Sequence, residues 1–332
     1  MASGPSAGCN HDAPPDLASN HNTLETLSVP SCGADAVTPH CVAPAFSPGG
    51  ADYVKMQQWD YNNRNLGIQL PTNYDPTKPY PVIIAGGGCS TGQDGIGGGY
   101  SPGGTGADAI RVGLSKVGDC FADGGIGGKT GHGCAVDAAH IGDCVDTPEV
   151  PYVNAVLDYV ESRLCVDRGK VFIGGYSSGA WEAPTVSCAL ATRIRGMSSV
   201  AGGLRIHRPA CTGPTAAYMI VGGVDRDNPI GPLVKDQADA ASGLSAGDVN
   251  NNIASNDTYG AAPMRDELLI RNGCQGTATA QWNAAYPACV TYTGCPAAYP
   301  VVWCVMPGKG HIDTNYQNVN YQPGAWALLS KL

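Results

Sequence analysis

The chain has 332 residues, 43% hydrophobic and 14% charged, with 46 Gly, 25 Pro and 14 Cys, a mixture that excludes a disordered, coiled-coil or collagenous protein. A formal charge of -9 provides no basic stripe to neutralise phosphates, so neither nucleic acid nor an anionic membrane surface is expected as a partner. No apolar run reaches the ~18 residues of a membrane helix, and the length suits one large α/β core with insertions.

The cysteines run from Cys9 to Cys304 without paired C-x-x-C sets. That spread fits a disulfide framework, and hence a secreted protein in an oxidising compartment, better than zinc, whose ligands come in short-spaced clusters. The start, MASGPSAG, reads as a processed or engineered N-terminus from which a leader has been removed.

Residues 1–52 are rich in Pro, Ser, Asn, His and Cys without sustained periodicity, and are expected to form an arm held by disulfides rather than a domain. The catalytic domain is expected over 53–332. Residues 53–59 and 66–70 alternate like hairpin strands, and 81–85 (PVIIA) is a buried strand running into Gly86-Gly87-Gly88. The glycine-dense stretch 89–134 reads as an irregular, disulfide-stapled surface segment. Residues 149–164 place Val153, Val156, Leu157, Val160 and Leu164 at helical spacing.

The run 170–174 (KVFIG) is a second buried strand, followed by a tight turn and a helix from residue 178. Further strands are expected at 196–201, 216–222 and 300–306, and a closing helix at 323–332. Strands alternating with helices imply a mostly parallel sheet. Between 231 and 299 the sheet pattern lapses, and the segment reads as an insertion or cap.

Gly175-Tyr176-Ser177-Ser178-Gly179 matches G-x-S-x-G between an expected strand and an expected helix. The two glycines permit a cramped turn that lifts the serine hydroxyl out of the sheet, so Ser177 is the candidate nucleophile. Its partners should follow in the order acid, then histidine. Only His207 and His311 come after Ser177, and the sole carboxylate between Ser177 and His207 is Glu182, inside the nucleophile helix. His311, in the loop Pro307-Gly308-Lys309-Gly310-His311 after an expected strand, is therefore the candidate base.

Asp225 and Asp227 compete as the acid that would fix the imidazole tautomer. Asp225, nearer the end of its strand, is preferred. An oxyanion needs two backbone donors, expected from Ser178 and from Gly88 or Cys89. Rival motifs fail: Gly128-Lys129-Thr130 has Asp123 where a phosphate loop needs its first glycine, and Asp225-Arg226-Asp227-Asn228 lacks the glycine of a calcium loop.

The segments PTNYDPTKPYPVIIAGGG, DTPEVPYVNAVLDYVESRLCVDRGKVFIGGYSSGAW and VGGVDRDNPI, with the late PGKGH and the Trp326 helix, resemble the feruloyl esterase (carbohydrate esterase family 1) and polyhydroxybutyrate depolymerase-like branch of the α/β-hydrolases. The resemblance runs from about residue 53 to the C-terminus. It departs from the family where Gly86-Gly87 replaces a His-Gly pair at the oxyanion strand, and where Pro184 interrupts the nucleophile helix.

It implies an α/β-hydrolase fold and ester hydrolysis through an acyl-enzyme, with no metal or organic cofactor. The implied substrates are hydroxycinnamoyl esters of plant cell walls, with hydroxyalkanoate or aromatic polyesters as the alternative. Trp181, just after the elbow, is a candidate to line the acyl pocket, with a core position as the alternative. A monomer is expected. A non-catalytic binding module on the same scaffold is the remaining alternative, which the ordered Ser177, Asp225 and His311 argue against.

Overall fold

The computed structural model describes residues 51–55, 65–88, 108–116, 121, 149–204, 211–225, 230, 260–311 and 321–332. The expected N-terminal arm lies outside them apart from its last two residues.

The expected hairpin forms from β1 (Ala51–Lys55) and β2 (Asn65–Gln69), paired antiparallel. Next come β3 (Tyr80–Gly86), β4 (Ile110–Leu114), α1 (Glu149–Arg163), β5 (Val166–Tyr176) and α2 (Ser178–Ala189). Then follow β6 (Gly196–Val200), β7 (Ala216–Gly222) and α3 (Ala261–Arg271). The chain ends with β8 (Thr279–Gln281), β9 (Cys289–Tyr292), β10 (Val301–Met306) and α4 (Tyr321–Leu329).

The ten strands among the described residues join one sheet in the order β1-β2-β4-β3-β5-β6-β7-β10-β9-β8. The six from β4 to β10 are mutually parallel, and antiparallel pairs close both flanks. The parallel strands are covered on both faces, which is why they read as near-continuous apolar runs.

Period-two alternation still sorts their side chains. Val82 and Ile84, Val171 and Ile173, Met219 and Val221, and Val301 and Trp303 share one cluster with Val153, Val156 and Val160 of α1, Val186 of α2 and Leu268 of α3. The opposite face pairs Tyr218, Ile220 and Val302 with Ala325 and Leu328 of α4, while Ile83 and Phe172 meet Leu329.

One expectation needs correction. Within the glycine-dense stretch 89–134, β4 is not a surface element: every one of its residues is buried, and it lies between β2 and β3. Its Arg111 hides this from a hydropathy reading, since the guanidinium is buried and donates to the side chain of Gln69 on β2. Burial also pushes the Arg111 pKa down from its ordinary value.

Of the expected insertion, the described residues are 260–299 and, earlier in the chain, none between 231 and 259. Residues 260–299 supply α3 to one face and extend the sheet edge with β9 and β8.

Pro184 falls inside α2, where its missing N–H leaves the carbonyl four residues earlier without a helical partner. That carbonyl, of Ala180, accepts the Ser199 hydroxyl from β6 at 3.4 Å. Every cysteine among the described residues is in a disulfide, including Cys188–Cys211, Cys274–Cys295 and Cys289–Cys304.

Cys289 and Cys304 face each other across β9 and β10 and close a loop with a sequence separation of 15. By chain entropy a loop of that size stabilises by about 3 kcal/mol. Replacing both with Ala is expected to lower the unfolding free energy by about that amount in chemical denaturation. An unchanged midpoint would show that the sheet edge is held by packing alone.

Candidate active site

Strand β5 enters α2 through Ser177, whose backbone has φ 52° and ψ -114°, a conformation non-glycine residues adopt at a cost of roughly 1–3 kcal/mol. Hydrogen bonds hold the turn in place. The Ser177 N–H donates to the Val200 carbonyl at 3.1 Å, and the Gly179 N–H donates to the Gly87 carbonyl at 3.1 Å. The Ser178 hydroxyl also donates to the Gly87 carbonyl, at 3.2 Å.

The two motif glycines are required by space. A Cβ on Gly175 would lie 2.4 Å from the Gly179 carbonyl carbon, and one on Gly179 would lie 2.3 Å from the Gly86 carbonyl oxygen. Backbone thus meets backbone where β3, β5 and α2 converge.

Asp225 follows β7, and its carboxylate is fully buried. His311 follows β10 on a loop that packs directly onto the end of β7, for the Val224 N–H donates to the Lys309 carbonyl at 3.0 Å and the Gly223 N–H to the Met306 carbonyl at 2.8 Å. A Cβ on Gly222 would lie 2.4 Å from the Lys309 carbonyl oxygen. The acid and histidine loops therefore sit side by side because their strands are neighbours.

The structure brings Ser177, His311 and Asp225 into one hydrogen-bonded line. His311 Nδ1 lies 3.0 Å from Asp225 Oδ2, and His311 Nε2 lies 2.8 Å from Ser177 Oγ. An ionised carboxylate can only accept, so Nδ1 carries the proton and Nε2 of the neutral ring is left to accept from the serine hydroxyl. This is the tautomer a general base needs. Asp227, the competing acid, and His207 lie outside the described residues.

Of the expected oxyanion donors, Ser178 occupies the first turn of α2, where backbone N–H groups have no carbonyl one turn back within the helix. Gly88 lies against Ser177, since a Cβ there would come within 3.2 Å of Ser177 Cβ. Cys89 lies outside the described residues. Trp181 is buried, 7% exposed, one helical turn past Ser177, with its backbone N–H donating to the Ser177 carbonyl at 3.0 Å.

Two nearby residues escape the sequence reading. Lys116, 6% exposed at the end of β4, donates from Nζ to the Gly88 carbonyl. Nothing in its sequence surroundings marks it. Tyr176, between the first motif glycine and the serine, donates its hydroxyl to the His311 carbonyl at 2.8 Å. Its position in the motif was visible, but its partner is distant in sequence. Among the described residues, the group Cys188, Cys211 and Glu267 has metal-ligand atom types within 4.8 Å, but its two sulfurs are bonded to each other.

No protein-family model matches the chain. Feruloyl esterase C of Emericella nidulans is 25% identical over 256 residues, 75% of this chain and 77% of that protein. Feruloyl esterase D of Neurospora crassa is 24% identical over 165 residues, 48% of this chain and 46% of that protein. Among solved structures, a carbohydrate esterase family 1 ferulic acid esterase from Anaeromyces mucronatus in complex with ferulic acid has 14% identity and a TM-score of 0.47, covering 83% of this chain and 91% of that one. An acetyl xylan esterase from Aspergillus awamori has 12% identity and a TM-score of 0.49, covering 86% of this chain and all of that one.

Because a Cβ on Gly179 meets main chain, Gly179→Ala is expected to lower the thermal unfolding midpoint well beyond Gly213→Ala, whose added Cβ would find nothing closer than 3.6 Å. Equal midpoints for the two variants would mean that the elbow is not held by this contact.

Proposed function

We propose that this chain, an α/β-hydrolase related in sequence to the feruloyl esterases, is a serine carboxylic ester hydrolase that acts through an acyl-enzyme. The observation that carries the reading is the line Asp225–His311–Ser177 at 3.0 and 2.8 Å, set on a strained turn that presents the hydroxyl at a helix N-terminus.

In the first half-reaction Ser177 Oγ bonds to the acyl carbon while His311 Nε2 takes the hydroxyl proton, and Asp225 stabilises the imidazolium. Backbone donors at Ser178 and at Gly88 or Cys89 are proposed to receive the negative charge of the tetrahedral intermediate. Collapse breaks the ester C–O bond, and His311 returns the proton to the departing alcohol. Water, deprotonated by the same nitrogen, then releases the carboxylic acid and regenerates Ser177.

Hydroxycinnamoyl esters of plant cell-wall polysaccharide are the proposed substrates, because the curated relatives are feruloyl esterases. Secretion is proposed from the disulfides, which persist in oxidising compartments. Among the described residues no helix is long and apolar enough to cross a membrane. A binding module on the same scaffold would have no need of an assembled Ser–His–Asp line.

The test is hydrolysis of methyl ferulate, p-nitrophenyl esters of increasing chain length and a hydroxybutyrate polyester by wild type and variants. Ser177→Ala should abolish turnover, and Asp225→Asn should lower kcat by about 10⁴-fold by disfavouring the productive tautomer. Preference for the polyester would replace the cell-wall substrate. Inactivity of correctly oxidised wild type on all of them would bring the binding module forward.

A further inference from the structure

Asp225 holds His311 at its ring nitrogen, and the end of β7 holds the loop as far as the Lys309 carbonyl, two residues short of the main chain that carries the ring. Gly308, three residues before it, takes φ 67°, and Gly310 adjoins it, so the stretch from Gly308 to His311 gains little rigidity from its own side chains.

We infer that Tyr176 is the positioning residue for His311, anchoring the backbone of the base beside the nucleophile. The inference rests on the ester-hydrolase reading of the site. Three contacts converge on this one side chain. Its hydroxyl donates to the His311 carbonyl at 2.8 Å. Its ring stacks on the imidazole, with centroids 5.5 Å apart and planes 29° apart. A Cβ on Gly88 would lie 2.9 Å from Tyr176 Cδ1, so the ring also abuts the glycine turn expected to receive the oxyanion.

Tyr176 is the residue before Ser177 and is only 6% exposed, at the end of β5 in the middle of the parallel sheet. The base is thereby tied to the nucleophile through one phenol and one peptide bond. Displacement of His311 would lengthen its 2.8 Å contact with Ser177 Oγ, and proton transfer is steeply sensitive to that distance. The aromatic ring sets orientation as well as distance, since the imidazole lies along its face.

Tyr176→Phe removes the hydroxyl and keeps the ring; Tyr176→Leu removes both. Each would be assayed for kcat and KM on p-nitrophenyl acetate, for the rate at which a fluorophosphonate labels Ser177, and for the low-field proton resonance of His311 Nδ1–H. Tyr176→Phe should lower kcat and the labelling rate about 10-fold, with KM unchanged, a broadened resonance and a wild-type unfolding midpoint. Tyr176→Leu should lose more, with Phe acting as the partial rescue.

Wild-type kcat, labelling and resonance in Tyr176→Phe would overturn the inference, as would a change confined to KM. Failure of the wild type to hydrolyse esters or take up the label would instead overturn the ester-hydrolase reading, and the resonance would still decide whether Tyr176 holds the ring.

Discussion

The site depends on the convergence of three backbones, where the first turn of α2 presses against the end of β3 with no side chain between Gly179 and Gly86. That contact forces β5 to leave the sheet abruptly, and the positive φ of Ser177 is its geometric consequence. Strain of this kind persists only where the surroundings over-determine it. Here the Val200 and Gly87 carbonyls hold the amides on either side of the turn, and the Ser178 hydroxyl adds a second bond to Gly87.

Strand order does the rest. In the order β5-β6-β7-β10, Ser177, Asp225 and His311 follow the C-terminal ends of parallel strands, where side chains far apart in the chain meet. The loops after β7 and β10 are bonded to each other, so Asp225 and His311 are held on one joined segment. The disulfide between β9 and β10 braces the strand that leads to His311 from its outer side.

How much of this was legible in the sequence follows from where the decisive contacts lie. The α1 helix and the central strands could be read because their partners impose a local period, 3.6 in Val153, Val156 and Val160 and two in Met219 and Val221. The turn at Ser177, the proposed nucleophile, was readable because Gly175 and Gly179 must be glycine for it to exist. Chain order left His311 as the proposed base, and nearness to the end of β7 favoured Asp225 over Asp227 as the proposed acid. Strand β4 was not legible, since Arg111 and Gly113 interrupt its apolar run and the solvation of Arg111 is replaced by a residue 42 positions away. Strand β8 is three exposed residues, too short to show a period. Tyr176 and Lys116 escaped because each bonds a main-chain carbonyl distant in sequence, and such partners impose no pattern near the residue itself.

The most direct test of covalent catalysis by Ser177 is rapid-quench mass spectrometry of the intact protein mixed with an activated ester, followed by peptide mapping. An adduct of the acyl group's mass, formed within one turnover and located on the peptide containing Ser177, is the predicted result. Turnover without any adduct when acylation is fast, or an adduct confined to another residue, would contradict it.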